Sequence, residues 1–167
     1  MYKERFNKTK EFILKKRYRL IIFTIVYKYL PIVNIVAYPL LLLYLLFTKD
    51  ERLLKCILIP LFMFVTLSGA RYIINLERPY EKYDIEPIFF KNKKGRSFPS
   101  RHTGSAVMIA LVFWYICPPL GACLFVVALL IGVSRVVGGV HFPRDVLCGA
   151  VYALVCGGFL FFSSSFF

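Results

Sequence analysis

At 167 residues the chain has room for one domain. Its hydrophobic fraction, 59%, stands above the roughly 45–50% usual for soluble domains, and its charged residues sit in blocks instead of recurring at helical spacing. That excludes a soluble helical domain, whose helices would each need a polar face, and the net charge of +13 leaves anionic lipid, an anionic substrate or nucleic acid as partners.

Eight of the 22 Lys and Arg lie in the first 19 residues, MYKERFNKTKEFILKKRYR. Beside an apolar run, such a segment is a headgroup contact and a topology signal, and the membrane assignment removes nucleic acid from the expected partners. The run that follows exceeds a signal-peptide core and lacks a small-residue cleavage site, so no cleavable signal is expected. The expected organisation is a basic juxtamembrane segment, 1–19, and a single transmembrane domain, 20–167.

Leu20–Phe47 carries one charge, Lys28, and contains Pro31 and Pro39. At 1.5 Å per residue it outruns a ~30 Å hydrocarbon core, so it tilts, kinks or splits near Pro31. TKDERLLK, 48–55, is a short charged loop, and Ile57–Leu76 crosses back. Residues 77–99 form the longest polar segment, with the basic cluster KNKKGR at 91–96. A third span opens at FPSRH and turns at Pro118–Pro119. Leu120–Val133 and Val146–Phe162 supply two more. The expected fold is an all-α polytopic transmembrane helix bundle of five to six spans, with an active site at one membrane face. The five cysteines lie in or beside apolar runs with no CxxC, and neither histidine neighbours one, so no metal site and no cofactor are expected.

Alternation of spans brings RYIINLERP, PSRH and SRVVGGVHFPRD to the same leaflet, although they lie far apart in sequence. Arg71 and Arg78 are seven residues apart, two turns along one helix face, and Arg135 adds a third guanidinium from another span. Guanidiniums without matching carboxylates call for an anion, and their forked donors suit phosphate oxygens. Ser100 stands where a helix cap belongs, at a positive helix start, with His102 in the first turn. Pro143 opens the last helix, placing His141 just before it and Asp145 in its first turn. A carboxylate on one imidazole nitrogen fixes the tautomer and leaves the other lone pair free to attack. Gly138 and Gly139 allow a tight loop. Taken singly, each feature has a plainer reading: a snorkelling Arg, a Ser cap, an Asp cap. Together they are the parts for phosphoryl transfer through a phosphohistidine, with guanidiniums in place of a metal.

Arg71-(six residues)-Arg78-Pro79, Pro99-Ser100-Arg101-His102 and Ser134-Arg135-(five residues)-His141-(three residues)-Asp145 resemble the tripartite signature of the type 2 phosphatidic acid phosphatase superfamily. The resemblance implies a membrane lipid phosphate phosphatase, with His141 as nucleophile, Asp145 as its orienting partner and His102 as general acid. Arg71, Arg78, Ser100 and Arg135 would bind phosphate. Arg71 replaces the family's frequent Lys, and Arg101 its usual Gly, where the longer side chain narrows the pocket or adds a phosphate contact. The implied substrate is a lipid phosphomonoester or diphosphate in the bilayer, of the phosphatidate, phosphatidylglycerophosphate or isoprenyl diphosphate class. The implied location is a bacterial-type plasma membrane with the site on the extracytoplasmic face, which a split first run would permit. The rival of another class is a non-catalytic lipid- or anion-binding membrane protein or transporter, which would have no use for two histidines.

Overall fold

The first apolar run forms one continuous rod. In the computed structural model, which describes residues 2–91 and 93–162, a leading helix α1 (Tyr2–Leu14) is followed by α2 (Arg17–Thr24), a π-helical turn (Ile25–Tyr29) and α3 (Leu30–Phe47), the last three without a break. Pro31 follows directly on the π turn, which takes up the irregularity that its missing N–H makes in a continuous helix. The run therefore crosses once, and the route to six spans through a split at Pro31 is closed.

The remaining helices are α4 (Leu53–Ile74), the short α5 (Pro79–Lys82), α6 (Arg101–Ile116), α7 (Pro118–Val137) and α8 (Pro143–Phe162). Among the described residues four helical segments are long and apolar enough to cross a membrane: Arg17–Phe47, Leu53–Lys82, Pro118–Val137 and Pro143–Phe162. The expected five to six spans is thus an overcount by this measure. The difference lies in α6, whose 16 residues reach about 24 Å. It is also the most enclosed helix, burying Thr103, Gly104, Ala106, Val107, Met108, Ala110, Leu111, Val112 and Phe113. A helix covered mostly by protein has little lipid thickness to match.

The order around α6 follows from its contacts. Gly121 packs against Trp114 and Gly132 against Thr103, so α7 runs antiparallel to α6. Gly149 lies against Gly104 and Gly157 against Met108 and Leu111, so α8 runs parallel to it. Leu67 meets Gly104 while the Arg52 guanidinium lies 6.0 Å from the Tyr115 ring, which makes α4 antiparallel. The Tyr38 hydroxyl donates to the Cys56 carbonyl at 2.8 Å, tying α3 to α4, and the Tyr152 hydroxyl donates to Thr66 Oγ1 at 2.7 Å, tying α8 to α4. The core they enclose is built from Leu45, Met63, Leu67, Met108, Val112 and Ile131. Outside it, Leu40, Phe47, Phe62, Val65, Leu129, Leu147 and Val155 are exposed, an apolar exterior that suits lipid and not water. This arrangement gathers the end of α4, the start of α6, the end of α7 and the start of α8 at one end of the bundle.

Candidate active site

The loop that carries His141 is held by its own backbone. Arg135, in the last turn of α7, accepts the Val140 and His141 amides on its carbonyl at 3.1 and 3.3 Å, folding the chain back between α7 and α8. Gly139 makes that fold possible. Its φ is +75°, and a Cβ there would lie 2.6 Å from the Phe6 ring of α1, which covers the loop. The close approach that the glycine allows is therefore to the aromatic cover.

His141 is buried, as is Asp145, in the first turn of α8. Asp145 Oδ2 accepts from the Phe142 amide at 3.0 Å and from the Ser97 hydroxyl, and stands 3.5 Å from His141 Nδ1. Ser97 Oγ is also 3.5 Å from His141 Nδ1. These two longer contacts lie at the outer edge of hydrogen-bond range, a separation that catalytic groups close when substrate binds. His141 Nε2 has no protein partner among the described residues. Burial holds the His141 imidazole below its ordinary value, helped by the cationic Arg78 and Arg71 and opposed by Asp145. At neutral pH it is therefore the free base, with the lone pair on Nε2.

Arg135 is buried, with its guanidinium 4.2 Å from the centre of the Tyr27 ring and Nη2 donating to the Tyr27 carbonyl at 3.0 Å. Its Nε is buried without any partner. A desolvated, unpaired guanidinium donor is suited to an anionic oxygen.

The start of α6 is fixed to α8. The Ser100 amide donates to the Asp145 carbonyl at 2.8 Å, and a Cβ on Gly149 would lie 2.5 Å from the Ser100 carbonyl, so only glycine permits this approach. Ser100 occupies the cap position of α6, as its sequence position predicts, but its hydroxyl pairs with Thr103 Oγ1 at 3.1 Å and makes no cap bond. The first-turn amides of α6 are left without it. His102 stands in that turn, within electrostatic reach of Arg135, His141 and Arg101.

Arg71 and Arg78 do not share a helix. Asn75 adopts a left-handed conformation (φ 41°) that ends α4, and Arg78 is the residue preceding α5. The buried Arg71 donates from Nη1 to the Ser97 and Pro99 carbonyls and from Nη2 to the Arg96 carbonyl, so it ties down the loop before α6 as well as facing the site. Arg78 Nε donates to the Gly95 carbonyl at 3.0 Å, and Glu81 accepts from the Arg78 and Gly95 amides at 2.9 Å each. Beside this loop is a cavity of about 490 Å³ lined by Arg71, Arg78, Lys93, Lys94, Arg96 and Arg101, with no carboxylate on its wall. Arg101 thus points into a basic cavity. The Lys91 ammonium is pushed below its ordinary value by burial and by Arg135, Arg78 and Lys93. Of the basic cluster 91–96, Asn92 lies outside the described residues.

Every residue of the expected set therefore comes to one end of the bundle. Ser97 is the member that sequence reasoning missed. It lies in a polar loop with no periodicity, and only its position beside Asp145 marks it.

A buried histidine and carboxylate, an unpaired guanidinium and a basic cavity at one end of an apolar helix bundle suit a phosphate ester carried by a lipid. The family model of the PAP2 superfamily matches residues 53–165, and the chain belongs to that superfamily. Undecaprenyl-diphosphatase BcrC of Bacillus subtilis (strain 168) is 32% identical over 135 residues, 78% of this chain and 69% of that protein. Bacitracin transport permease protein BcrC of Bacillus licheniformis is 27% identical over 120 residues, 70% of this chain and 59% of that protein. Among solved structures, Aquifex aeolicus LpxE is similar with a TM-score of 0.70 at 30% identity, over 92% of each chain. A transmembrane PAP2-type phosphatidylglycerolphosphate phosphatase from Bacillus subtilis, at 21% identity and a TM-score of 0.53 over 96% of this chain and 94% of that one, shares the fold.

Proposed function

We propose that the protein hydrolyses a lipid phosphomonoester or diphosphate through a phosphohistidine. The observation that carries this is the buried His141–Asp145–Ser97 cluster at the same end of the bundle as the buried Arg135, whose Nε has no partner. His141 Nε2 attacks phosphorus as the bond to the lipid oxygen breaks, and His102 gives that oxygen its proton. Asp145 holds the Nδ1 proton and steadies the imidazolium that forms. Arg135, Arg71, Arg78, Arg101 and the first-turn amides around Ser100 hold the non-bridging oxygens. His102, now neutral, takes a proton from water as it attacks the phosphohistidine. The N–P bond breaks, phosphate leaves and His141 is restored. Positive charge comes from guanidiniums in this scheme, and among the described residues no group of three His, Cys, Asp or Glu gathers as a ligand set for a metal.

The substrate class follows from the setting. The site lies at the end of an apolar bundle, and the relatives bear names of lipid phosphate and diphosphate hydrolases. Purified protein in mixed micelles, incubated with ³²P-labelled phosphatidate, phosphatidylglycerophosphate and an isoprenyl diphosphate, is expected to release phosphate from at least one and to yield acid-labile label on His141, with and without chelator. Tight lipid binding with no labelled histidine would support the non-catalytic reading, which the transport name of one relative keeps in view. Activity abolished by chelator would overturn the metal-independent scheme.

We place the site on the extracytoplasmic face of a bacterial-type plasma membrane. Because Arg17–Phe47 crosses once, segment 1–19 then lies on that face too, against the usual preference of basic segments for the cytoplasm. Its helix also serves as a cover for the site, since Phe6 lies over Gly139 and Tyr2 stacks on Tyr83 with ring centres 4.5 Å apart. Single cysteines at Lys82 and Glu51, in a background freed of the native five, are expected to react and to be protected, respectively, with an impermeant thiol reagent on intact cells. The reverse pattern places the site in the cytoplasm.

A further inference from the structure

Asn34 is the one Asn in the first long apolar run, and it is 3% exposed. Its Oδ1 and Nδ2 are both buried and both lack a hydrogen-bond partner. Leaving both ends of an amide unpaired inside a bundle is costly, and a Leu or Val at this position would avoid the cost. Asn34 lines a cavity of about 330 Å³ that also has His102 and Arg101 on its wall. The rest of the wall is largely apolar, and two of its members, Ile35 and Phe64, are themselves exposed on the outside of the bundle. An apolar cleft with a few convergent polar groups is the usual form of a small-molecule site, and this one opens toward the lipid-facing exterior. The π turn ending at Tyr29, five residues before Asn34, is the kind of irregularity that concentrates at functional sites.

Arg101 lines both this cavity and the basic cavity, and His102 is on the wall of this one. If His102 protonates the departing oxygen, the part of the lipid carrying that oxygen occupies the Asn34 cavity. We propose that Asn34 binds the leaving group of the substrate, hydrogen-bonding an oxygen-bearing group next to the scissile bond, and so selects among lipid phosphates. A carboxamide offers one acceptor and two donor hydrogens, which suits the second phosphate of a diphosphate or the glycerol oxygens of a glycerophospholipid. An unadorned alkyl chain satisfies neither end. The inference rests on the phosphatase reading for the role of His102.

The test compares leaving groups. Asn34→Leu and Asn34→Gln are assayed in mixed micelles on an isoprenyl diphosphate, on phosphatidylglycerophosphate and on a long-chain alkyl monophosphate. Asn34→Leu is expected to melt at or above the wild-type temperature, since it removes an unpaired buried amide. Its kcat/KM is expected to fall about tenfold or more on whichever polar leaving group the protein favours, chiefly through KM, and to stay within about twofold on the alkyl monophosphate. Loss on the diphosphate alone assigns the contact to the second phosphate, and loss on the glycerophospholipid alone assigns it to the glycerol oxygens. Equal loss on every substrate with a lowered melting temperature means a structural Asn and overturns the proposal, as does unchanged kcat/KM throughout. Asn34→Gln, which keeps the amide, serves the same comparison if the Leu variant does not fold. A parallel measurement in the His141→Ala background keeps the two readings apart. There the polar lipids should raise the melting temperature more than the alkyl phosphate does, and Asn34→Leu should erase the difference. If the wild type releases no phosphate, the phosphatase reading falls, while this binding difference still decides the role of Asn34.

Discussion

The two ends of the bundle treat charge in opposite ways. At the end away from the site, Asp50 and Arg52 pair with each other: Nη2 lies 2.7 Å from Oδ2, and the Arg52 amide adds a 2.9 Å bond to Oδ1. The hydrogen bonds from Arg52 bring the Asp50 carboxyl down to about 2. At the site end, six cationic side chains line one cavity without a carboxylate, and the Arg135 Nε is buried with no partner. Of the acids beside the cavity and His141, Glu81 is spent on backbone amides, and Asp145 on Ser97, the Phe142 amide and the neighbourhood of His141 and Arg144, while Glu86 farther out pairs with Lys10. At the far end the partly buried charge is paired within the chain. The other end is left for a ligand to neutralise, which is what a phosphate-binding site requires.

The sharpest test of that contrast is His141→Ala. It is expected to cut kcat for phosphate release by on the order of 10⁴-fold or more, as loss of a nucleophile does, while the melting temperature stays close to wild type. The wild-type pH profile carries a related signature. Burial lowers the His141 pKa, so the neutral nucleophile persists on the acid side of an ordinary histidine. The acid limb of kcat/KM is therefore expected below about pH 6.5, and a limb well above that value would contradict the environment of the imidazole.

Arg135→Lys comes next. A lysine keeps the charge but cannot both stay over Tyr27 and present a donor where the unpaired Nε lies. A fall of about 10²–10³ in kcat is expected, the scale seen when one donor to a developing charge is removed. Inorganic phosphate should also bind more weakly, measured as loss of product inhibition. Retention of wild-type kcat would mean that the orphan Nε is not part of the site.

These two residues are legible in the sequence because their signals are local. Pro143 fixes where α8 begins, which puts His141 outside the helix and Asp145 in its first turn, and the structure keeps that register. Arg135 is visible as a charge at the end of an apolar run. What escapes depends on the third dimension. The seven-residue spacing of Arg71 and Arg78 implies one helix, but a left-handed Asn75 ends α4 between them. Helix α6 reads as a full span because enclosure by its neighbours is not written in its own residues. Proline offers a reason to break the first run, whereas a π turn absorbs it. Ser97 and Asn34 carry no pattern of their own and gain meaning only from what surrounds them.

Ser97→Ala is expected to have a smaller effect. It removes one hydrogen bond to the Asp145 carboxylate and leaves the Phe142 amide in place. A loss of about ten- to a hundredfold in kcat follows from the ~1.5–3 kcal/mol value of a bond to a charged group acting mainly in the transition state. An unchanged kcat would make Ser97 a packing residue only.

The smallest effect should come from the other end. Arg52→Ala removes a pair at the surface, where solvent and salt screen the charges, so its cost to stability is expected below about 1 kcal/mol, and kcat/KM should stay within about twofold. The sign of the pH dependence is fixed by the direction of the shift. A carboxyl lowered on folding contributes stability above its ordinary 3.8, and that contribution is lost as the pH falls toward about 2. Wild type and variant should therefore differ slightly in melting temperature at neutral pH and low salt, and converge both in high salt and near pH 2. A large loss of kcat/KM would break the contrast between the ends. Arg52 also faces the Tyr115 ring near the end of α6, the helix whose opposite end carries His102. An effect on turnover would then have to travel the length of that enclosed helix, and the two ends would be a single coupled unit.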